Sequence, residues 1–228
     1  MIEDFIKKLK HKPSGCDLFS PWFDHDEKHD ISPDAPEVRR RQFISYLQSR
    51  RGKAKYLFIA EALGYQGGHF TGIAMTSERI LLGYQKQKYR VKPDDVFRDP
   101  IPERTSKPEV NTKGMSEPTA TIMWGALKDL GIDPYQVVLW NAVPWHPYDL
   151  SRGILSNRTP TRKEMSAGMD ILPSFFELFH DDVKIVAVGR KCEETLKTLG
   201  IEHLHMRHPA NGGAPKFRRQ LRDFVADS

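Results

Sequence analysis

The sequence is short of what several large function classes require. Its 228 residues include two cysteines, Cys16 and Cys192. Two thiols cannot build a four-cysteine iron–sulfur cluster or a Cys₄ zinc site. Cys16 falls in an N-terminal loop and Cys192 where a helix should face the core, so two free thiols are expected. No apolar run approaches the ~20 residues that cross a bilayer. Met1–Lys10 places Ile2, Phe5, Ile6 and Leu9 at helical spacing with charges between them. It lacks the continuous apolar centre of an export signal, so the expected compartment is the cytoplasm. Gly64-Tyr65-Gln66-Gly67-Gly68 fits neither a P-loop nor the dinucleotide fingerprint, and there is no Gly-x-Ser-x-Gly nucleophile elbow.

What is present is a globular composition, with 39 % hydrophobic and 29 % charged residues, 16 Gly and 16 Pro. The length suits one α/β domain spanning 1–228. The net charge of +5 permits a polyanionic partner without demanding one.

Short runs rich in strand formers alternate with helical periods. Asp34–Arg51 reads as a helix with Val38, Phe43, Tyr46 and Leu47 on one side and Arg39, Arg40 and Arg41 on a basic one. Lys55–Ile59, Val137–Leu139, Lys184–Val188 and His203–Met206 read as strands. Helices are expected over about 74–84, over Glu117–Leu130, after the capping box Thr161/Glu164, from Gly189 to about Leu199, and over Ala214–Val225. Residues 1–50 read as an N-terminal helical extension. Residues 85–116, with four prolines and no strong period, read as a solvated insertion loop. Alternating strands and helices predict a three-layer αβα sandwich on a central, mainly parallel four-stranded sheet.

Three of the strands run into polar or Gly-rich clusters: Ala60-Glu61-Ala62-Leu63-Gly64, Trp140-Asn141-Ala142-Val143, and Arg207-His208-Pro209-Ala210-Asn211-Gly212-Gly213. The carboxyl ends of parallel strands share one edge, where ligands bind, so a carboxylate, an amide and an imidazole should meet there. Glu61 is either a solvated loop carboxylate or a group that orients water and stabilises a cation. Asn141 either bonds local backbone or offers a paired donor and acceptor to a nucleobase edge. Phe70, in Gly67-Gly68-His69-Phe70-Thr71-Gly72, is either core or a platform for a planar ligand. His208 can donate to an oxygen that gains negative charge. A metal trio of His203, His205 and His208, joined by His69 or His146, is disfavoured. Residues two apart on a strand share a face, whereas His208 lies beyond the strand end.

Taken in order, these clusters resemble the uracil-DNA glycosylase superfamily, over roughly residues 50 to 225. Ala60-Glu61-Ala62-Leu63-Gly64 is similar to the first motif Gly-Glu-Ala-Pro-Gly of its bacterial branches. Gly68-His69-Phe70-Thr71-Gly72 is similar to the stacking segment Gly-x-Pro-Phe-Val-Gly with one residue missing. Asn141 matches the strand-end Asn that reads uracil, and His208-Pro209-Ala210-Asn211 resembles the second motif, His-Pro-Ser-Pro.

The resemblance implies a monofunctional glycosylase that hydrolyses the bond to a uracil flipped out of DNA, in base excision repair. The alternatives are a glycosylase for another deaminated base, such as hypoxanthine, or an inactive DNA-binding module of the same fold. It further implies catalysis by Glu61 and His208 and base binding by Ala62, Gly64, Phe70 and Asn141. DNA contacts would come from Arg207, Asn211, Gly212, Gly213, Lys216, Arg218 and Arg219. The partner is DNA carrying uracil or another deaminated base, the expected state a monomer, and no cofactor, metal or membrane is expected. Ala62 stands where the best-known branch has a catalytic Asp, and Gly64 where that branch has a Tyr excluding the thymine methyl. With two cysteines the chain looks like a cluster-free relative of the Gly-Glu-Ala-Pro-Gly branch.

Overall fold

The computed structural model describes residues 1–180 and 182–226. Four apolar runs form one sheet: β1 Tyr56–Ala62, β2 Val137–Val143, β3 Lys184–Val188 and β4 Leu204–Met206, in spatial order β2-β1-β3-β4. Every pairing is parallel, so the expected mainly parallel sheet is wholly so. β2 is buried along its whole length, as a parallel strand covered on both faces must be.

Parallel neighbours need crossover connections. The main helices are α1 Ile2–Lys8, α2 Ala35–Gln48, α3 Pro118–Asp129, α4 Arg162–Phe176, α5 Arg190–Thr198 and α6 Ala214–Ala226. The Thr161 hydroxyl accepts from the Glu164 amide at 3.3 Å, and the Glu164 carboxylate accepts from the Thr161 amide at 2.8 Å. That reciprocal pair starts α4 where the sequence placed it. From α4, Phe175 stacks on Trp140 of β2 with centroids 4.7 Å apart. Phe5 of α1 packs against both rings, which draws the N-terminal helix into the core.

Four expectations change. β1 continues to Ala62 and β2 to Val143, so Glu61 is a strand residue rather than a loop residue, and Asn141 lies inside its strand rather than at the end. The parallel register carries on through Ala60↔Asn141 and Ala62↔Val143, because a polar side chain does not interrupt the backbone ladder. The helix expected over 74–84 shrinks to the single turn Glu78–Leu81. Met75 at φ 47° and Gly83 at φ 80° lie outside helical geometry on either side of it. Arg39, read as part of the helix's basic side, is wholly buried. It donates to Asp30 at 2.7 and 3.0 Å and to the Asp24 carbonyl at 3.0 Å.

Residues 85–116, read as a solvated insertion loop, are partly packed into the molecule. Val91, Val96 and Phe97 join the core. The Glu78 carboxylate, also buried, accepts from the amides of Thr105 (2.8 Å), Ser106 (2.9 Å) and Met115 (3.2 Å) and from the Ser106 hydroxyl. Three of its backbone donors are thus satisfied by one interior carboxylate instead of by water.

Candidate active site

The aligned strand ends open into a cleft of about 540 Å³. Ala60–Gly64 at the end of β1, Asn141 on β2, and His208 and Ala210 after β4 form part of its wall. Gln66, Met75, Glu117–Thr119 and the segment 157–160 complete it. Glu61, Ala62, Gly64, Asn141 and His208 therefore meet in one cavity. A larger depression of about 780 Å³ runs along the free edge of β4 beside Leu204, His205 and Phe224. It lies off the carboxyl edge, and none of its lining side chains carries a buried polar atom without a partner. The smaller cleft is the chemical one.

Asn141 is buried to 2 % exposure, and its Oδ1 has no hydrogen-bond partner. Buried polar groups are normally paired, so an orphan amide facing a cavity is poised for a ligand. His208 is oriented from below. The Ala210 amide donates to its Nδ1 at 3.1 Å, which makes Nδ1 the acceptor and leaves the proton on Nε2. Burial, reinforced by the Arg207 charge, holds its pKa below the usual histidine value, so the ring is neutral at pH 7. Two glycines let it sit there. A Cβ on Gly189 (φ 93°) would come within 3.1 Å of the His208 Cβ, and one on Gly213 within 2.0 Å of the His208 carbonyl. Glu61 is half-buried at the end of β1. Burial raises its pKa, with Lys191 opposing and Glu194 adding to the rise.

The uracil DNA glycosylase superfamily model matches residues 50–226. That span holds every strand of the sheet and every residue of the cleft wall. The chain belongs to the uracil DNA glycosylase superfamily. No curated protein matches the sequence. Among solved structures, the crystal structure of wild-type Pedobacter heparinus SMUG2 is similar at a TM-score of 0.63 and 12 % identity. It covers 98 % of this chain and 97 % of its own, a likeness of fold.

Within the family's motif order, Phe70 needs moving. It is wholly buried in the helical turn Gly68–Thr71, packs on His69 with centroids 4.4 Å apart, and does not line the cleft. In spacing, Gly72-Ile73-Ala74-Met75 takes the place of Gly-x-Pro-Phe without a gap, with Ala74 and Met75 where the motif has Pro and Phe. Met75 does line the cleft. The aromatic ring lies in the core, and the motif spacing brings Met75 to the cleft wall.

The loop Asn211–Gly213 follows His208. Asn211 has φ 51°, and a Cβ on Gly212 would meet nothing within 4 Å, so the tip stands clear of the body. Lys216 and Arg219 are exposed on α6. Arg218 is instead paired with Asp129 at 2.7 Å, and the Arg207 amide donates to Gln220 at 2.8 Å. The histidines do not gather into a metal site. His69 faces His146 at 3.0 Å and Asp26 at 3.2 Å, and His203 faces the Ile201 carbonyl at 2.6 Å. Among the described residues no group of His, Cys, Asp and Glu is arranged to hold a metal.

Sequence reasoning missed Glu117, Asn157 and Arg158. Asn157 accepts from the Tyr65 amide at 3.0 Å, which ties the first motif to the opposite wall. Arg158 is fixed by Glu164 (2.6 and 2.7 Å) and by the carbonyls of Tyr148 (2.9 Å) and Asp17 (3.0 Å). Only tertiary packing brings these residues to the cleft, so no local signal marked them.

Proposed function

We propose that the protein hydrolyses the N-glycosidic bond of a uracil flipped out of DNA, acting as a monomeric, cofactor-independent enzyme of base excision repair in the cytoplasm. One observation carries this reading: an unpartnered buried amide, a neutral imidazole and a half-buried carboxylate, from three strand ends, share one cleft of about 540 Å³. Unstacking the base costs a few kcal/mol, and the pocket returns that through contacts. Asn141 gives to a carbonyl and takes from an imino N–H along one edge of the ring. Met75 and the Ala62–Gly64 backbone flank its faces.

Breaking the bond leaves negative charge on the base and a cation-like sugar. The His208 Nε2–H donates to the base oxygen where charge builds; a preorganised donor of this kind is worth roughly 10²–10³ in rate. Glu61, an anion at the mouth, steadies the sugar cation or orients the attacking water. Arg207, Lys216 and Arg219 contact phosphates, and the tip at Asn211 and Gly212, held by the buried Gly213, fills the gap that the base leaves.

A second reading, excision of a deaminated purine such as hypoxanthine, is favoured by Gly64. It adds no side chain to the wall, and a Cβ there would still lie 3.6 Å from Asn157. The test is base release, without added metal, from oligonucleotides carrying uracil, hypoxanthine, xanthine or a thymine mismatch. Release of uracil supports the reading. Release of hypoxanthine alone shifts it to the purine, and binding with no release of any base overturns it.

A further inference from the structure

Glu117 occupies a position that no structural role explains. It is the residue from which α3 starts, yet its side chain caps nothing. The residue keeps some surface, but its Oε2 is sealed from solvent and has no hydrogen-bond partner. Asn141 Oδ1 is in the same state on the same cleft. The space Glu117 fills exists because residue 67 is glycine: a Cβ there would lie 1.9 Å from Oε2 and 2.8 Å from Cδ. The other titratable groups on the cleft walls are Glu61, Arg158 and His208. Burial alone, not any of these charges, pushes the Glu117 pKa up to about 7 from 4.5.

A buried carboxylate that serves the fold has a different environment. Glu78 collects three amides and a hydroxyl, whereas Glu117 collects nothing. Two residues that line one cavity, each with a polar atom that bonds nothing, are complementary to a ligand that brings both sets of partners. We propose that Glu117 is a second base-reading side chain, which acts beside Asn141 to set which bases the cleft accepts. This rests on the glycosylase reading above.

The chemistry is specific. A neutral carboxylic acid, like an amide, offers one donor and one acceptor. Beside Asn141 it suits a base edge with a carbonyl next to an imino N–H, the pattern that deamination creates. The ionised form accepts only, so it repels a base carbonyl and favours an exocyclic amine. The neutral form predominates below the raised pKa and is lost as pH rises through it. Acceptance of a carbonyl-bearing base should therefore fall above about pH 7.

The test uses the full chain and two readouts over about pH 5.5 to 9. One is single-turnover release from a uracil oligonucleotide. The other is affinity for a duplex carrying a non-cleavable 2′-fluoro uracil nucleotide, relative to the same duplex with 2′-fluoro cytosine, which presents an exocyclic amine and no imino N–H on that edge. Wild type should lose roughly tenfold in uracil preference from about pH 6.5 to 8.5. Glu117→Gln keeps a donor and an acceptor but cannot ionise, and should hold the preference flat. Gly67→Ala, which displaces the carboxyl, should weaken the preference at every pH. Equal pH dependence in wild type and Glu117→Gln overturns the proposal, as does the absence of any uracil preference in wild type. Selective, Glu117-dependent binding without release would uphold the proposal and overturn the hydrolytic reading instead.

Discussion

The interior holds two kinds of polar group, and the contrast between them locates the site. Under the 85–116 segment, Arg39 and Glu78 are as buried as any leucine, and every bond they need is made. Arg39 holds Asp30 through two contacts of 2.7 and 3.0 Å; Glu78 holds three amides. At the carboxyl edge of the sheet, Asn141 and Glu117 each keep an atom that bonds nothing. A buried polar atom left unpaired costs about 1–3 kcal/mol. The first kind stabilises the native chain; the second is a standing cost that only a ligand offsets. Burial alone would not have separated them; a missing partner together with a place on the cleft wall does, since Ser20, Gln42, Ser77, Arg79 and Trp140 also keep an unpartnered atom but line no part of the cleft.

The largest expected effect belongs to the paired kind. Arg39→Ala strands the Asp30 carboxylate in the core and should cost about 3–5 kcal/mol of stability, read as a shift in the urea midpoint. A loss near zero would break the comparison, since Arg39 would then be as dispensable as a surface charge.

The unpaired kind should behave oppositely. His208→Ala should slow base release roughly 10²–10³-fold and leave the urea midpoint nearly unchanged. Because its pKa is held below the ordinary 6.5, the neutral ring persists as pH falls through that value. The part of the rate owed to this residue should survive as pH falls through 6.5 and fade only in more acid solution. A fall centred at 6.5 or above would mean that the imidazolium is not suppressed. Asn141→Ala should reduce release by roughly 10–100-fold, the equivalent of one buried polar contact. It should not destabilise the protein, because it deletes an unsatisfied atom. A clear loss of stability would make Asn141 a structural amide after all.

The sequence revealed the sheet and three of the cleft's chemical groups for one reason: they depend on local pattern. Apolar runs with β-branched residues place the strands, and in a parallel sheet a strand's polar end is automatically at the shared edge. That logic found Glu61, Asn141 and His208. It failed where the partner was distant. Arg39 looks like a surface charge until Asp30 and the Asp24 carbonyl close around it, and 85–116 looks like a loop until Glu78 satisfies its amides. Glu117 precedes a helix like many acidic residues; only the space left by Gly67, fifty positions earlier, takes its carboxyl out of water. Phe70 misled for another reason: an aromatic ring outweighed the motif spacing, which points to Met75.

The smallest effects sharpen the same contrast on the surface. Arg218 and Arg219 are neighbours on α6, and the family resemblance makes both candidate DNA contacts. Arg218 is already committed to Asp129 at 2.7 Å, while Arg219 is exposed with no partner among the described residues. An exposed arginine that meets a phosphate releases a counterion on binding, and removing it should lower the salt dependence of DNA affinity by about one unit of slope. Arg219→Ala should show that change and Arg218→Ala should not. The second variant should instead cost a few tenths of a kcal/mol of stability, as exposed pairs do. Affinity for a short duplex, titrated against salt for both variants, separates the two. Equal slopes would mean that DNA draws Arg218 away from Asp129, and a side chain's partner in the free protein would then be a poor guide to its role on DNA.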